Sequence, residues 1–106
     1  MPFPSLIDMA KSFVLNVHGV KTVDDFFDEV QRVLCPDFKG FGRSWNAFND
    51  VLRGGFGTFE ENESVEIVLQ GTKKMRKHFP ESQFRYLLKL LENADNVTLS
   101  QVGSPS

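Results

Sequence analysis

The stretch FGRSWNAFND, from Phe41 to Asp50, has glycines close on both sides and the pattern of a short amphipathic helix. Ser44 is a favourable N-cap, because its side-chain oxygen can accept a hydrogen bond from a free backbone N–H of the first turn. Helical spacing then puts four apolar residues on one side: Trp45, Phe48, Val51 and Leu52. The opposite side carries Asn46, Asn49, Asp50 and Arg53. The pattern predicts a helix from Trp45 to about Arg53, with Trp45, Phe48 and Leu52 buried against a sheet.

The segments on either side of this helix alternate between strand and helix patterns. After a capping-box-like start at Thr22, apolar residues recur at helical spacing from Val23 to Leu34. The other predicted elements are a strand at 12–20, a strand at 64–71, a possible short helix at 72–79, a long helix at 80–95 and a strand at 96–102.

This order requires helical crossovers between strands, and such crossovers produce parallel pairing. The sequence therefore predicts an α/β fold with a three-stranded parallel sheet packed with helices, covered more heavily on one face than on the other. A chain of 106 residues is the size of one domain. We expect a single domain, with residues 1–11 as an N-terminal extension and 103–106 as a flexible tail.

Composition and charge exclude several classes of protein. The net charge is −2, from 12 basic and 14 acidic residues, so no overall field attracts nucleic acid or an anionic membrane. Cys35 is the only cysteine, which excludes an intrachain disulfide. The N-terminal residues do not resemble a secretory signal, and no apolar run approaches the roughly twenty residues of a membrane span. We expect a cytoplasmic protein that makes no membrane contact.

The sequence predicts no catalytic residue, no metal site and no cofactor. His18 and His78 have no further ligand at metal-binding spacing, and Cys35 fits a small buried hydrophobe. The clusters GFG and GGFG do not match the phosphate-binding loops of nucleotide-binding proteins. We therefore expect that the protein is not an enzyme.

The run of basic residues between Lys73 and Lys77 is the best case for nucleic-acid binding, because basic groups beside an aromatic residue can bind phosphate and stack a base. A solvated helix surface is the ordinary explanation of such a run. We expect this segment to be exposed and dispensable for binding the main partner, and binding of RNA or DNA through it stays the alternative from a different class.

Asp50 is unusual in its position, because a helix macrodipole disfavours a negative side chain in the last turn. Local choices in natural sequences usually agree with the fold, so a residue that breaks this agreement suggests a role in function. On the pattern alone, two interpretations of the polar side of this helix stay open: it meets only water, or it meets a partner.

The longer stretch FGRSWNAFNDVLRGG resembles the signature of the barstar family, small intracellular inhibitors of secreted ribonucleases. That signature is an aromatic-glycine loop followed by a helix of the form N-x-D-A-x-x-D-x-L. The matching positions are Phe41 and Gly42 in the loop, Ala47 and Phe48 on the inner side of the helix, and Asp50 and Leu52 at its end. At the level of pattern, the resemblance extends from Ser12 to Val102.

The resemblance implies a barstar-like fold and a protein that binds a ribonuclease, or a related toxin, and occludes its active site. The implied partner-binding residues are Phe41, Gly42, Arg43, Asn46, Asn49, Asp50, Arg53 and Gly54. In the family, the aspartate at the Asp50 position occupies a phosphate-binding site among basic catalytic residues. The resemblance implies no cofactor, and we expect a monomer when the partner is absent.

The sequence also departs from the family pattern on the side that would meet the partner. Asn46 stands where the family usually has aspartate, and Ser44 where it usually has asparagine. The binding side of the helix is therefore less acidic than the family pattern. This favours, as the alternative, an interaction or immunity protein of the same fold whose partner is not a nuclease.

Overall fold

The computed structural model describes residues 11–102, which contain three strands and four helices. In chain order the elements are β1 (Lys11–Asn16), α1 (Val23–Leu34), α2 (Trp45–Leu52), β2 (Val65–Gln70), α3 (Thr72–Met75), α4 (Glu81–Asn93) and β3 (Val97–Val102). The predicted extension at 1–11 and tail at 103–106 lie outside the described residues, except for Lys11, which begins β1.

The three strands form one sheet in the order β1-β2-β3, and both pairs are parallel. Lys11 lies opposite Val65 in the first pair, and Val65 lies opposite Val97 in the second. The chain crosses over from β1 to β2 through α1 and α2, and from β2 to β3 through α3 and α4. This arrangement confirms the predicted α/β fold.

One face of the sheet is buried under helices and the other is more exposed. Val65, Ile67 and Leu69 of the central strand are buried and point toward the helices. On the opposite face, Val14 of β1 and Val102 of β3 are 44% and 47% exposed. The expectation that the helices would cover one face more heavily is confirmed.

The open face is tied together by hydrogen bonds that cross all three strands. The carboxylate of Glu66 in the central strand accepts a hydrogen bond from Ser12 Oγ at 2.9 Å and one from Ser100 Oγ at 2.8 Å. Because Ser12 belongs to β1 and Ser100 to β3, one side chain links both edge strands to the centre.

The helix α1 begins where the sequence predicts. Thr22 Oγ1 accepts a hydrogen bond from the Asp25 N–H at 3.0 Å, and the Asp25 carboxylate accepts one from the Thr22 N–H at 3.2 Å. This reciprocal pair satisfies two backbone donors at the helix start. The buried residues of α1 are Phe26, Phe27, Val30 and Leu34. They pack α1 against β1, while α4 packs against β3 and α2 contacts both α1 and α4.

Glu29 joins α1 to the end of β1. Its carboxylate accepts hydrogen bonds from the Asn16 N–H at 2.8 Å and from Arg32 Nη2 at 2.6 Å. Burial alone would raise the pKa of Glu29, but the hydrogen bonds from Arg32 and Asn16 outweigh burial, and the pKa lies below its ordinary value. The ionised form of Glu29 therefore stabilises the contact between helix and sheet.

The first strand is shorter than the predicted range of 12–20, because it ends together with its partner β2. The Val17 N–H still reaches the Gln70 carbonyl at 2.9 Å, but the Val20 N–H turns back to the Val17 carbonyl at 3.0 Å. His18 therefore lies in an exposed turn. The short helix predicted at 72–79 is helical only over Thr72–Met75, and turns follow it.

Candidate protein-binding site

The loop between α1 and α2 is held by side chains of α1, among them Gln31. Gln31 Nε2 donates to the Cys35 carbonyl at 2.8 Å and to the Phe38 carbonyl at 2.7 Å. Phe41 closes the loop, because its ring packs edge-on against Phe27 with centroids 5.8 Å apart and only 7% of the residue is exposed. Phe41 thus fixes the loop from the inside and offers a partner little of its own surface.

The inner side of α2 is part of the core, although it packs differently from the prediction. Phe48 and Leu52 are fully buried, as predicted. Trp45 is only partly buried, and its ring lies between aromatic rings of α1 and Tyr86 of α4. Its Nε1 donates to Gln83 Oε1 of α4 at 2.7 Å. The prediction that Trp45 packs against the sheet is wrong, because α2 lies across two helices.

The outer side of α2 carries the four predicted polar residues, which we call the outer stripe: Asn46, Asn49, Asp50 and Arg53. Asn46, Asp50 and Arg53 are exposed and Asn49 is half-buried. Within residues 11–102, the Asp50 carboxylate accepts no hydrogen bond and forms no ion pair. The fold therefore leaves this carboxylate free to meet another molecule.

Arg43 is not part of the outer stripe, because it turns toward α1. Its Nη2 lies 2.6 Å from Asp24 Oδ1 and 2.9 Å from Asp28 Oδ1. The hydrogen bonds that Arg43 donates to the carboxylates of Asp24 and then Asp28 raise the pKa of its guanidinium. Arg43 therefore brings two carboxylates of α1 beside the loop, and sequence spacing alone did not relate these carboxylates to α2.

Of the two glycines among the predicted residues, Gly42 is exposed, whereas Gly54 is required by the turn after α2. Gly54 has φ +89°, and a Cβ there would overlap the carbonyl oxygen of Glu60. The turn is further held by the Asn62 N–H, which donates to the Arg53 carbonyl at 2.7 Å. Gly54 shapes the end of the site through its backbone.

An aromatic cleft of about 150 Å³ lies between the loop and α2. Phe38 and Phe56 form part of its wall, with their ring centroids 4.9 Å apart, and Asp50 and Val51 line its α2 side. Sequence reasoning missed both phenylalanines, which are far apart in the chain. Their common signal is an aromatic residue set among glycines, in FKGF and GGFG.

A second depression, the amide cavity, lies on the other side of the outer stripe and measures about 250 Å³. Its lining residues are Asn49, Arg53, Asn62, Asn93, Ala94, Asp95 and Asn96. Asn96 fixes its floor, because Nδ2 donates to the Leu52 carbonyl at 2.9 Å and to the Glu63 carbonyl at 3.0 Å. The outer stripe therefore forms a ridge between a partly aromatic cleft and a polar cavity.

The sequence that forms this fold matches a known family. A sequence model described as barstar (barnase inhibitor) matches residues 10–102. The chain belongs to the barstar family. A comparison with curated proteins gives no significant match.

Membership in the barstar family confirms the resemblance that the Phe41–Gly54 region predicts. The family description is that of an enzyme inhibitor, so the family acts by binding another protein. In this barstar-family chain the match covers all three strands and all four helices described above.

The remaining chemical signals of this barstar-family chain have structural explanations. Cys35 is buried, and burial raises the pKa of its thiol, which disfavours the reactive thiolate. Within residues 11–102, no group of three or more histidine, cysteine, aspartate and glutamate side chains could hold a metal ion. In the same range, no helix has the length and apolar character needed to cross a membrane.

Proposed function

We propose that this protein inhibits a ribonuclease by occluding its active site with α2 and the loop before it, and that it has no catalytic activity of its own. The binding site would comprise Phe41, Gly42, Arg43, Asn46, Asn49, Asp50, Arg53 and Gly54, in which Phe41 and Gly54 chiefly fix the shape of the loop and of the turn after α2. We further propose that it works in the cytoplasm as a monomer and needs no cofactor.

The observation that carries this proposal is the free carboxylate of Asp50 at the rim of the aromatic cleft. Ribonuclease active sites bind phosphate through basic side chains, and a fixed carboxylate inserted among them gains charge-assisted hydrogen bonds away from water. A free side chain offers this without first breaking a contact within its own fold. The nearby Phe38 and Phe56 supply apolar surface that can exclude water from the pair.

The charges around the ridge support a basic partner. Asp24, Asp28 and Asp50 provide three carboxylates, whereas Arg43 and Arg53 provide two guanidinium groups. Among these five side chains the carboxylates outnumber the guanidinium groups by one, although Asn46 replaces the usual family aspartate. A modest negative field of this kind favours encounter with a positively charged active site.

The test uses purified protein with a panel of bacterial ribonucleases that includes barnase. Cleavage of a fluorogenic RNA substrate would be measured with increasing protein, and binding would be confirmed by calorimetry. We expect stoichiometric inhibition of at least one ribonuclease that competes with substrate. A complex that leaves cleavage unchanged would contradict occlusion of the active site.

A second candidate is a barstar-family interaction or immunity protein whose partner is not a nuclease. Two observations favour it: Asn46 carries no charge, and the Arg43 guanidinium is already paired with Asp24 and Asp28 of α1. Capture from a lysate with the parent protein and with an Asp50→Asn variant as matched baits would separate the candidates. A non-nuclease retained by the parent and lost by the variant would favour the second.

A further inference from the structure

A basic depression of about 350 Å³ lies at the end of β2, where α3 and the following turn project from the sheet. Its lining residues are Lys73, Lys74, Lys77 and His78. All four are exposed. Among the residues the structure describes, no carboxylate lines this depression, although the whole chain has a net charge of −2. The basic depression therefore concentrates positive charge in a chain whose net charge is negative.

The lysines of the basic depression have no counter-charge within the fold. Between residues 11 and 102, none of the three forms an ion pair, whereas Arg76 in the same segment lies 3.6 Å from the Glu81 carboxylate. The Arg76 guanidinium also lies 4.9 Å from the centroid of the Phe84 ring. Like charges held close together repel one another, and a bound anion would remove that repulsion.

The backbone under these lysines is fixed by the core. Met75 and Phe79 are buried, and the Phe79 N–H donates to the Met75 carbonyl at 2.9 Å. The preceding turn is equally constrained, because Gly71 has φ +93° and a Cβ there would overlap the backbone of His18. Binding would therefore order side chains but not the chain itself, which lowers its entropic cost.

The basic depression and the C-terminal end of α2 lie at opposite ends of the strands of the sheet. The depression follows the carboxyl end of β2. Asn96, which precedes the amino end of β3, donates a hydrogen bond to the Leu52 carbonyl at the end of α2. Strands of six residues place these ends about 20 Å apart. The location suits a second binding site that leaves the ridge free.

We propose that the basic depression binds a compact anion that carries several phosphates, such as a short polyphosphate chain or the triphosphate of a nucleotide. Four cationic or hydrogen-bonding side chains lie within six residues, which matches the size of such an anion. Sites for single-stranded nucleic acid combine a longer basic groove with aromatic side chains that stack bases. Among the residues that the structure describes, no phenylalanine, tyrosine or tryptophan lines the basic depression, so a compact phosphate ligand fits better than an RNA strand.

The test is calorimetric titration of the full chain with inorganic tripolyphosphate at low and at moderate salt. The site variant replaces Lys73, Lys74 and Lys77 by glutamine. Its matched control makes the same change in charge at three exposed lysines elsewhere: Lys21, Lys39 and Lys89. We expect the site variant to bind at least about tenfold more weakly than the parent and the control to stay within about twofold. Circular dichroism would verify that both variants are folded.

Three results would overturn the proposal. The first is absence of binding by the parent protein at millimolar tripolyphosphate. The second is equal weakening in the site variant and its control, which would indicate attraction by overall charge. The third is tighter binding of a single-stranded RNA oligonucleotide than of tripolyphosphate at the same phosphate concentration, which would assign the surface to a nucleic-acid strand.

The ribonuclease assay separates this site from the inhibitor function. Because the two surfaces lie at opposite ends of the strands, the site variant should inhibit a ribonuclease within a few-fold of the parent. Loss of inhibition by more than about a hundredfold would place the partner on the basic depression and contradict both the separation and the use of α2.

Discussion

Replacing Asp50 by asparagine removes one charge from the outer stripe and keeps the size of the side chain. The Asp50 side chain is exposed and has no hydrogen-bond or ion-pair partner within residues 11–102. Substitutions at such positions change the free energy of unfolding by about 0.5 kcal/mol or less. Because a carboxylate near a helix C-terminus is mildly unfavourable, any change in stability should be a small gain.

The effect on the complex should be much larger. In a basic active site the asparagine would leave cations buried without a counter-charge, and it would replace charge-assisted hydrogen bonds by weaker neutral ones. We expect a loss of at least about 2 kcal/mol, the usual threshold for a binding hot spot, or roughly thirtyfold in Kd. The measurement is calorimetric melting of the free protein together with titration against the inhibited ribonuclease.

The matched control is Glu92→Gln. Glu92 is also an exposed acid in the last turn of a helix, but it lines neither the aromatic cleft nor the amide cavity. The Kd of the Glu92→Gln variant for the ribonuclease should stay within about threefold of that of the parent. If Asp50→Asn binds as tightly as the parent, or if both variants lose affinity equally, then Asp50 is not the anchor and the reasoning from its free carboxylate fails.

Other predictions concern stability. Trp45→Ala should lower the free energy of unfolding by about 2 to 3 kcal/mol in denaturant titration, less than for a fully buried aromatic because Trp45 is partly exposed; a loss below about 1 kcal/mol would show that its contacts with α1 and α4 contribute little. Gly54→Ala should cost at least about 1 kcal/mol more than Gly55→Ala, because both glycines have φ +89° but only the first meets a backbone carbonyl; equal melting temperatures would contradict the overlap. Glu29 has a lowered pKa in the folded state, so its contribution is complete above the pKa of the unfolded chain and is lost as the pH falls through the folded pKa. Glu29→Gln should therefore lower the melting temperature at neutral pH, and this difference from the parent should shrink as the pH falls through the lowered pKa of folded Glu29; the same loss throughout an acid titration would contradict this assignment.

The fold could be predicted from the sequence because local signals and overall topology agree. Thr22 and Asp25 cap α1 as their spacing indicates, and strand segments separated by helices require parallel pairing. The end of β1 could not be read locally, because it depends on where β2 stops. SFVLNVHGV has strand propensity beyond Asn16, but Gln70 is the last residue of the neighbouring strand.

For the candidate site, the sequence predicts which side chains lie on each side of α2. It does not predict which surfaces lie beside that helix. Helical spacing separates Phe48 from Asp50 without any knowledge of the fold. Phe38 and Phe56 meet only because the chain returns after α2, and the pairing of Arg43 with Asp24 joins residues from different elements. The same holds for Trp45. The helical spacing of the apolar residues predicts that it lies on the inner side of α2, but not whether a sheet or two helices pack against that side.

The register of the sheet also has a kinetic consequence. Lys11 pairs with Val65, 54 positions later in the sequence, and Val65 pairs with Val97, 32 positions later. No strand has a partner nearby in the chain, so each pairing must close a long loop before any contact offsets the entropy lost. Helices such as α1 and α4 can begin to form from local contacts, whereas the sheet must assemble late. Folding should therefore be slower than in a helical bundle of this length, and changes at Glu66, which joins all three strands, should accelerate unfolding more than they slow folding.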